Sequence, residues 1–183
     1  MKEKVLLDAQ HISIIIDRLC RELIEHHDDF SQSVIIGLQP RGILLSRRIH
    51  ERLKQLLPKS TILYGELDIS FYRDDFRRRE NVVLPNEIKI DFIVEKKKVI
   101  LIDDVLFTGR TIRAALDALT AYGRADVVEL LVLIDRRFSR ELPIEATYSG
   151  YDVDSRLNDK IVVDLKTAPG KDEVRLVTQP QSA

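Results

Sequence analysis

Two adjacent carboxylates, Asp103 and Asp104, stand where the apolar run Val99-Ile100-Leu101-Ile102 ends, and Val105-Leu106-Phe107 then leads to Thr108, Gly109, Arg110 and Thr111. The apolar run reads as a buried strand and the segment from Ile112 to Tyr122 as an amphipathic helix. The residues between them therefore fall at the carboxyl end of a strand and the first turn of a helix. Unpaired N–H groups and the positive end of the dipole make such a turn a site for phosphate. Gly109 lets backbone come close to that phosphate, and the hydroxyls of Thr108 and Thr111 add hydrogen bonds. Paired acids repel phosphate. They make sense as acceptors for two neighbouring ribose hydroxyls or as partners of a hydrated magnesium ion. A phosphate at one end and a diol at the other describe a ribose 5-phosphate.

The elements that must hold this segment can be read from the rest of the chain. Asp8 is placed to cap a helix whose apolar positions, Ile12, Ile15, Ile16, Leu19 and Leu23, recur at three- and four-residue steps. Val34–Leu38 reads as a buried strand, Gln39-Pro40-Arg41-Gly42 as a turn, and Ile43–Leu57 as a helix ended by Pro58. Thr61–Ile69 and Val127–Ile134 are further strands, and Gly123 stops the helix before the last of these. Strand and helix alternate, so the fold class is α/β, an open parallel sheet flanked by helices on both faces. Residues 71–86 are crowded with charge and lack a period, which predicts a long exposed loop. After Asp135 only short strand-like pieces remain, at Ile144–Tyr148, Lys160–Leu165 and Val174–Val177. They predict a small β-rich appendage, built mainly from 144–178, on one domain spanning 1–183.

Bulk properties exclude several classes. The 183 residues carry a formal charge of -1, without the positive bias of a dedicated nucleic-acid binder. Cys20 is the only cysteine, so no intrachain disulfide forms. No apolar stretch reaches the roughly 18 residues of a membrane span. The first residues lack the apolar core of a signal peptide, and a cytoplasmic location is expected. His11, His26, His27 and His50 follow no metal-ligand spacing.

Residues 99–111 closely resemble the signature of the type I phosphoribosyltransferases, which use phosphoribosyl diphosphate (PRPP). Phe107 departs from the small residue that many members carry. An aromatic there is typical of a narrower group, the pyrimidine operon regulators PyrR, which also act as uracil phosphoribosyltransferases. Gly37 with Arg41-Gly42, Tyr72-Arg73-Asp74-Asp75, Asp135-Arg136 and Arg140-Glu141-Leu142-Pro143-Ile144 match that group too.

The resemblance implies conversion of uracil and PRPP to UMP and diphosphate, with Mg2+ as cofactor. It implies that Pro40 and Arg41 grip the diphosphate and that Asp103 and Asp104 hold the ribose hydroxyls. The 108–111 turn would anchor the 5-phosphate, Val105, Leu106 and Phe107 would contribute to substrate binding, Arg136 would touch the nucleotide, and backbone near Ile161 would read the pyrimidine. The 71–86 loop, with Arg73, Arg77, Arg78 and Arg79, would close as a lid. A homodimer or higher homo-oligomer is usual. Two alternatives stay open: a different acceptor base such as a purine, and a UMP-sensing regulator binding pyrimidine-operon leader mRNA. Arg18 and Arg21 fit an RNA face. Glu145, Ser149 and Tyr151 stand where RNA-binding relatives carry basic residues, and the segment Arg136–Arg140 is one residue longer than theirs.

Overall fold

The computed structural model describes residues 2–69, 89–156, 159–167 and 170–178. The expected lid lies outside them. In chain order the elements are β1 (Lys2–Leu7), α1 (Ala9–His27), β2 (Ser33–Gln39), α2 (Gly42–Leu56), β3 (Leu63–Asp68) and β4 (Lys98–Leu106). They continue with α3 (Arg110–Leu119), β5 (Val127–Arg137), β6 (Tyr148–Asp154), β7 (Lys160–Asp164) and β8 (Glu173–Thr178). Asp8 does cap α1, its Oδ1 accepting the His11 N–H at 2.9 Å.

Five strands form a parallel sheet in the order β3-β2-β4-β5-β6. Because successive side chains on a strand point to opposite faces, the apolar runs of β2 and β4 divide into two sets. Ile35, Ile100 and Ile102 pack with Ile12, Ile16, Leu45 and Ile49 of α1 and α2. Val34, Ile36, Val99 and Leu101 pack with Ile112, Ala115 and Ala118 of α3. Both faces are thus covered, as the continuous apolar strands require.

The strand order reverses between β2 and β4: β3 lies to one side of the pair, β5 and β6 to the other. Pairing of β2 with β4 stops at Gly37–Ile102. β2 runs on beside β3 to Gln39 before the turn into α2, and a crevice opens at the carboxyl ends of β2 and β4, the usual ligand position in such sheets.

Three expectations need correction. The strand carrying Asp103 and Asp104 does not end before them; β4 runs on to Leu106, because β5 continues as its partner through Asp135. The piece expected at Ile144–Tyr148 is a strand at Tyr148–Asp154 instead, and it is the edge of the parallel sheet rather than part of the appendage. An edge strand needs few apolar residues, so its polar run gave no signal. The appendage itself is an antiparallel sheet, β1-β8-β7, and includes the N-terminal strand. Val5-Leu6-Leu7 is too short a run to announce a strand whose partner lies at the other end of the chain.

Candidate active site

At the crevice, α2 begins almost in contact with β4. A Cβ on Gly42 would stand 2.4 Å from the Ile102 carbonyl oxygen and 3.0 Å from Asp103 Cα. Only glycine permits that approach, which brings the preceding Arg41 beside the acid pair. The Gln39–Pro40 peptide is cis. Pro40, Arg41, Leu44 and Asp104 form one wall of a cleft of about 310 Å³, and the opposite wall is β7 with Leu165. Among the described residues, β7 pairs only with β8.

Asp103 and Asp104 are both buried, each 6% exposed. Asp103 Oδ1 accepts the Asp104 N–H at 2.9 Å. Burial pushes the Asp103 carboxyl well above the usual range, and repulsion from Asp104 adds to this. Burial raises Asp104 as well, opposed chiefly by the Arg41 charge. No cation among the described residues comes within ion-pairing distance of either. A diol, a hydrated divalent cation or a cationic sugar would each relieve them. This donor set fits magnesium held through water.

Beyond β4, Gly109 adopts φ +91° immediately before α3. That left-handed conformation strains any residue with a Cβ. The Arg110 N–H lies 3.4 Å from Thr108 Oγ1; Thr108 and Gly109 lead into the helix, and Arg110 and Thr111 open it. Phe107 is covered by Arg136, whose guanidinium carbon lies 3.8 Å from the ring centre. Arg136 is buried, donating to Ser155 Oγ at 2.9 Å and to the Arg156 carbonyl at 3.0 Å.

Pro40, Arg41, Asp104 and Ile161 therefore meet in one cleft. Asp103, Val105, Leu106 and the 107–111 turn continue from it along the chain. Arg136 reaches the group through Phe107 and is not part of the cleft lining. Sequence reasoning missed Leu44, Lys160, Val162, Val163, Asp164 and Leu165, which also line the cleft. Only the packing of β7 against the end of β4 could reveal them.

The chain is similar to known proteins in sequence and in fold. The family described as Phosphoribosyl transferase domain matches residues 3–168. The chain belongs to that family. A protein of Desulfosudis oleivorans named "Bifunctional protein PyrR" is 43% identical over 94% of this chain and 95% of its own length. One of the same name from Bacillus cereus is 42% identical, covering 96% and 98% respectively. Along nearly its whole length the chain is thus of the PyrR group of phosphoribosyltransferases. Among solved structures, a hypoxanthine phosphoribosyltransferase of Trypanosoma cruzi superposes with a TM-score of 0.70 at 16% identity, over 96% of this chain and 97% of that one. A hypoxanthine phosphoribosyltransferase of Staphylococcus aureus gives 0.64 at 21% identity, covering 84% and 79%. At such identities these two likenesses speak for the fold alone.

Proposed function

We propose that the chain transfers the phosphoribosyl group of PRPP to uracil, giving UMP and diphosphate. The observation that carries this reading is the meeting of Arg41, Asp104 of the buried acid pair and β7 in one cleft at the switch point of the sheet. In the reaction the bond from ribose C1 to the diphosphate oxygen breaks and its electron pair leaves with the diphosphate. A nitrogen of the base bonds to C1, and its proton passes to solvent. Arg41 faces the leaving group, and the first turn of α3 anchors the 5-phosphate so that C1 stays in line with the base. Asp103 and Asp104 accept hydrogen bonds from the ribose hydroxyls and favour the positive charge that develops on the sugar. Magnesium carried on the diphosphate would spread the leaving group's charge, with Asp103 and Asp104 as the side chains fit to hold it through water.

Uracil is favoured because a backbone edge suits a small base with alternating donors and acceptors, and because the relatives of high identity are PyrR proteins. The test is a base panel: PRPP, magnesium and each free base, with release of diphosphate measured. Release with uracil is expected; release only with hypoxanthine or guanine would replace uracil as the acceptor. We further take residues 1–183 as one domain, the location as cytoplasmic and the assembled state as at least a dimer.

The designation bifunctional in those relatives keeps a second reading in view, UMP-linked binding of pyrimidine-operon leader mRNA. The α1–β6 face has little free positive charge for it. Arg18 donates to the Ser149 and Gly150 carbonyls at 3.0 and 2.7 Å, Arg21 pairs with Asp17 at 2.9 Å, and Arg137 pairs with Asp152. Glu145 is exposed nearby. A gel shift with such a leader, at low and high salt and with or without UMP, tests it. Unchanged mobility at low salt removes the second reading.

A further inference from the structure

The segment after β5 is absent from the lining of the cleft, yet its hydrogen bonds converge on the turn before α3. Arg140 is the centre of them. Its Nη1 donates to the Phe107 carbonyl at 2.7 Å and to the Arg136 carbonyl at 3.0 Å, with the Leu106 carbonyl at 3.4 Å. Its Nε donates to the Ile144 carbonyl at 2.9 Å, and Nη2 pairs with Asp135 Oδ1. The next two residues extend the pattern, because the Glu141 and Leu142 N–H groups both donate to the Thr108 carbonyl, at 3.0 and 3.2 Å. Glu141 also accepts from Arg110 Nε at 2.6 Å. Beside them, Ile144 and Leu142 press on the spot a Gly109 Cβ would fill, at 3.2 and 3.4 Å.

Three successive carbonyls, of Leu106, Phe107 and Thr108, are thus drawn toward the 140–142 segment. In a planar trans peptide the carbonyl of one residue and the N–H of the next point in opposite directions. Fixing these carbonyls on one side turns the N–H groups of Phe107, Thr108 and Gly109 to the other. A run of amides presented together in this way makes a concavity for an anion. Left free, the same carbonyls could face the anion and repel it. The Asp135 carboxylate offsets the charge of Arg140, so the guanidinium acts through geometry more than through long-range attraction. Its planar fork can serve several acceptors at once, which the point charge of lysine cannot.

We propose that Arg140 is a positioning residue for the 5-phosphate: it orients the amides of the 107–109 turn by holding that turn's carbonyls. The proposal rests on the phosphoribosyl transfer reading above and names a determinant of its phosphate half alone. Calorimetry with magnesium would compare ribose 5-phosphate, diphosphate and PRPP on the unsubstituted chain and on Arg140→Gln, Arg140→Lys and Asp135→Asn. Loss of hydrogen bonds from a charged group should weaken ribose 5-phosphate about tenfold or more in Arg140→Gln, with a smaller loss in Arg140→Lys and the smallest in Asp135→Asn. Diphosphate affinity should stay within about twofold, and KM for PRPP should rise more than KM for the base. If Arg140→Gln does not fold, as judged by thermal unfolding, the other two variants provide the same ordering.

Unchanged ribose 5-phosphate binding in the folded variants overturns the proposal. So does an equal loss of both ligands, the sign of a merely structural role. Failure of the unsubstituted chain to bind PRPP at all would remove the phosphoribosyl reading and this proposal together, whereas the first two outcomes leave that reading standing.

Discussion

The two ends of the cleft are built in different ways. The phosphoribosyl end comes from one contiguous segment, β4 through the first turn of α3, and uses carboxylates, hydroxyls and helix amides whose identity matters. The hood end is assembled from strands near both termini, β1, β7 and β8. It offers mainly the edge of β7, and main-chain groups are nearly indifferent to the side chains they carry. One tie fixes the hood to α2, the helix that also follows Arg41. Arg48 grips the Asp172 carboxylate with both Nη atoms, at 2.8 and 2.9 Å, and this aspartate is 5% exposed. The charged half of the cleft is concentrated in sequence, while the half built on the antiparallel sheet is spread out.

Substitutions can break this contrast, and the largest effect is expected at the acid pair. Asp104→Asn should lower kcat/KM for PRPP by about 10²–10³-fold, the scale of losing a preorganised electrostatic group. Asp103→Asn should also raise thermal stability at neutral pH. The buried Asp103 carboxyl has a folded value well above the ordinary 3.8. Its contribution to stability is full below 3.8 and is lost as pH rises through the raised folded value. The amide escapes that loss, so the difference in Tm should be clear at pH 7 and fade toward the acid end. Equal Tm values at pH 7 would contradict the burial argument.

Next in size, Thr108→Val and Thr111→Val should each weaken PRPP about tenfold, with KM for the base nearly unchanged. A parallel rise in both constants would blur the two ends into one. Arg48→Gln should act in the opposite sense, raising KM for the base several-fold while PRPP binding largely persists. It leaves Asp172 buried without its cation, so a stability loss of about 2–3 kcal/mol is expected in denaturant titration. If PRPP binding falls as far as base binding, the hood is not a separate half.

The smallest effect lies away from the cleft. His27 is buried between Ser33, Tyr148 and Glu129, with Nδ1 2.8 Å from Ser33 Oγ and Nε2 3.0 Å from the Tyr148 hydroxyl and 2.9 Å from Glu129 Oε2. Burial first, helped by Lys98 and His26, lowers its value from 6.5 against the pull of Glu129. Its contribution to stability is therefore present above pH 6.5 and is lost as pH falls through the lowered folded value. His27→Gln should flatten the decline of Tm in that window without altering either KM. An unchanged slope would place the acid sensitivity elsewhere.

What the sequence by itself determined was the part written in adjacent residues: the alternation that gives a parallel sheet, the Asp8 cap, and the 99–111 segment with its acids, glycine and threonines. Strand periodicity and capping are local, so they show in a single pass along the chain. Only the tertiary structure decided that β4 and β5 extend past their apolar runs, because a neighbouring strand supplies the hydrogen bonds that keep a polar residue in a strand. Only it assigned Tyr148–Asp154 to the main sheet and Lys2–Leu7 to the hood, since an edge strand or a short strand is defined by its partner. The same holds for Arg140 and for the β7 edge. Arg140 meets backbone carbonyls, and β7 is a strand through its main-chain pairing with β8; main-chain groups carry no residue letter.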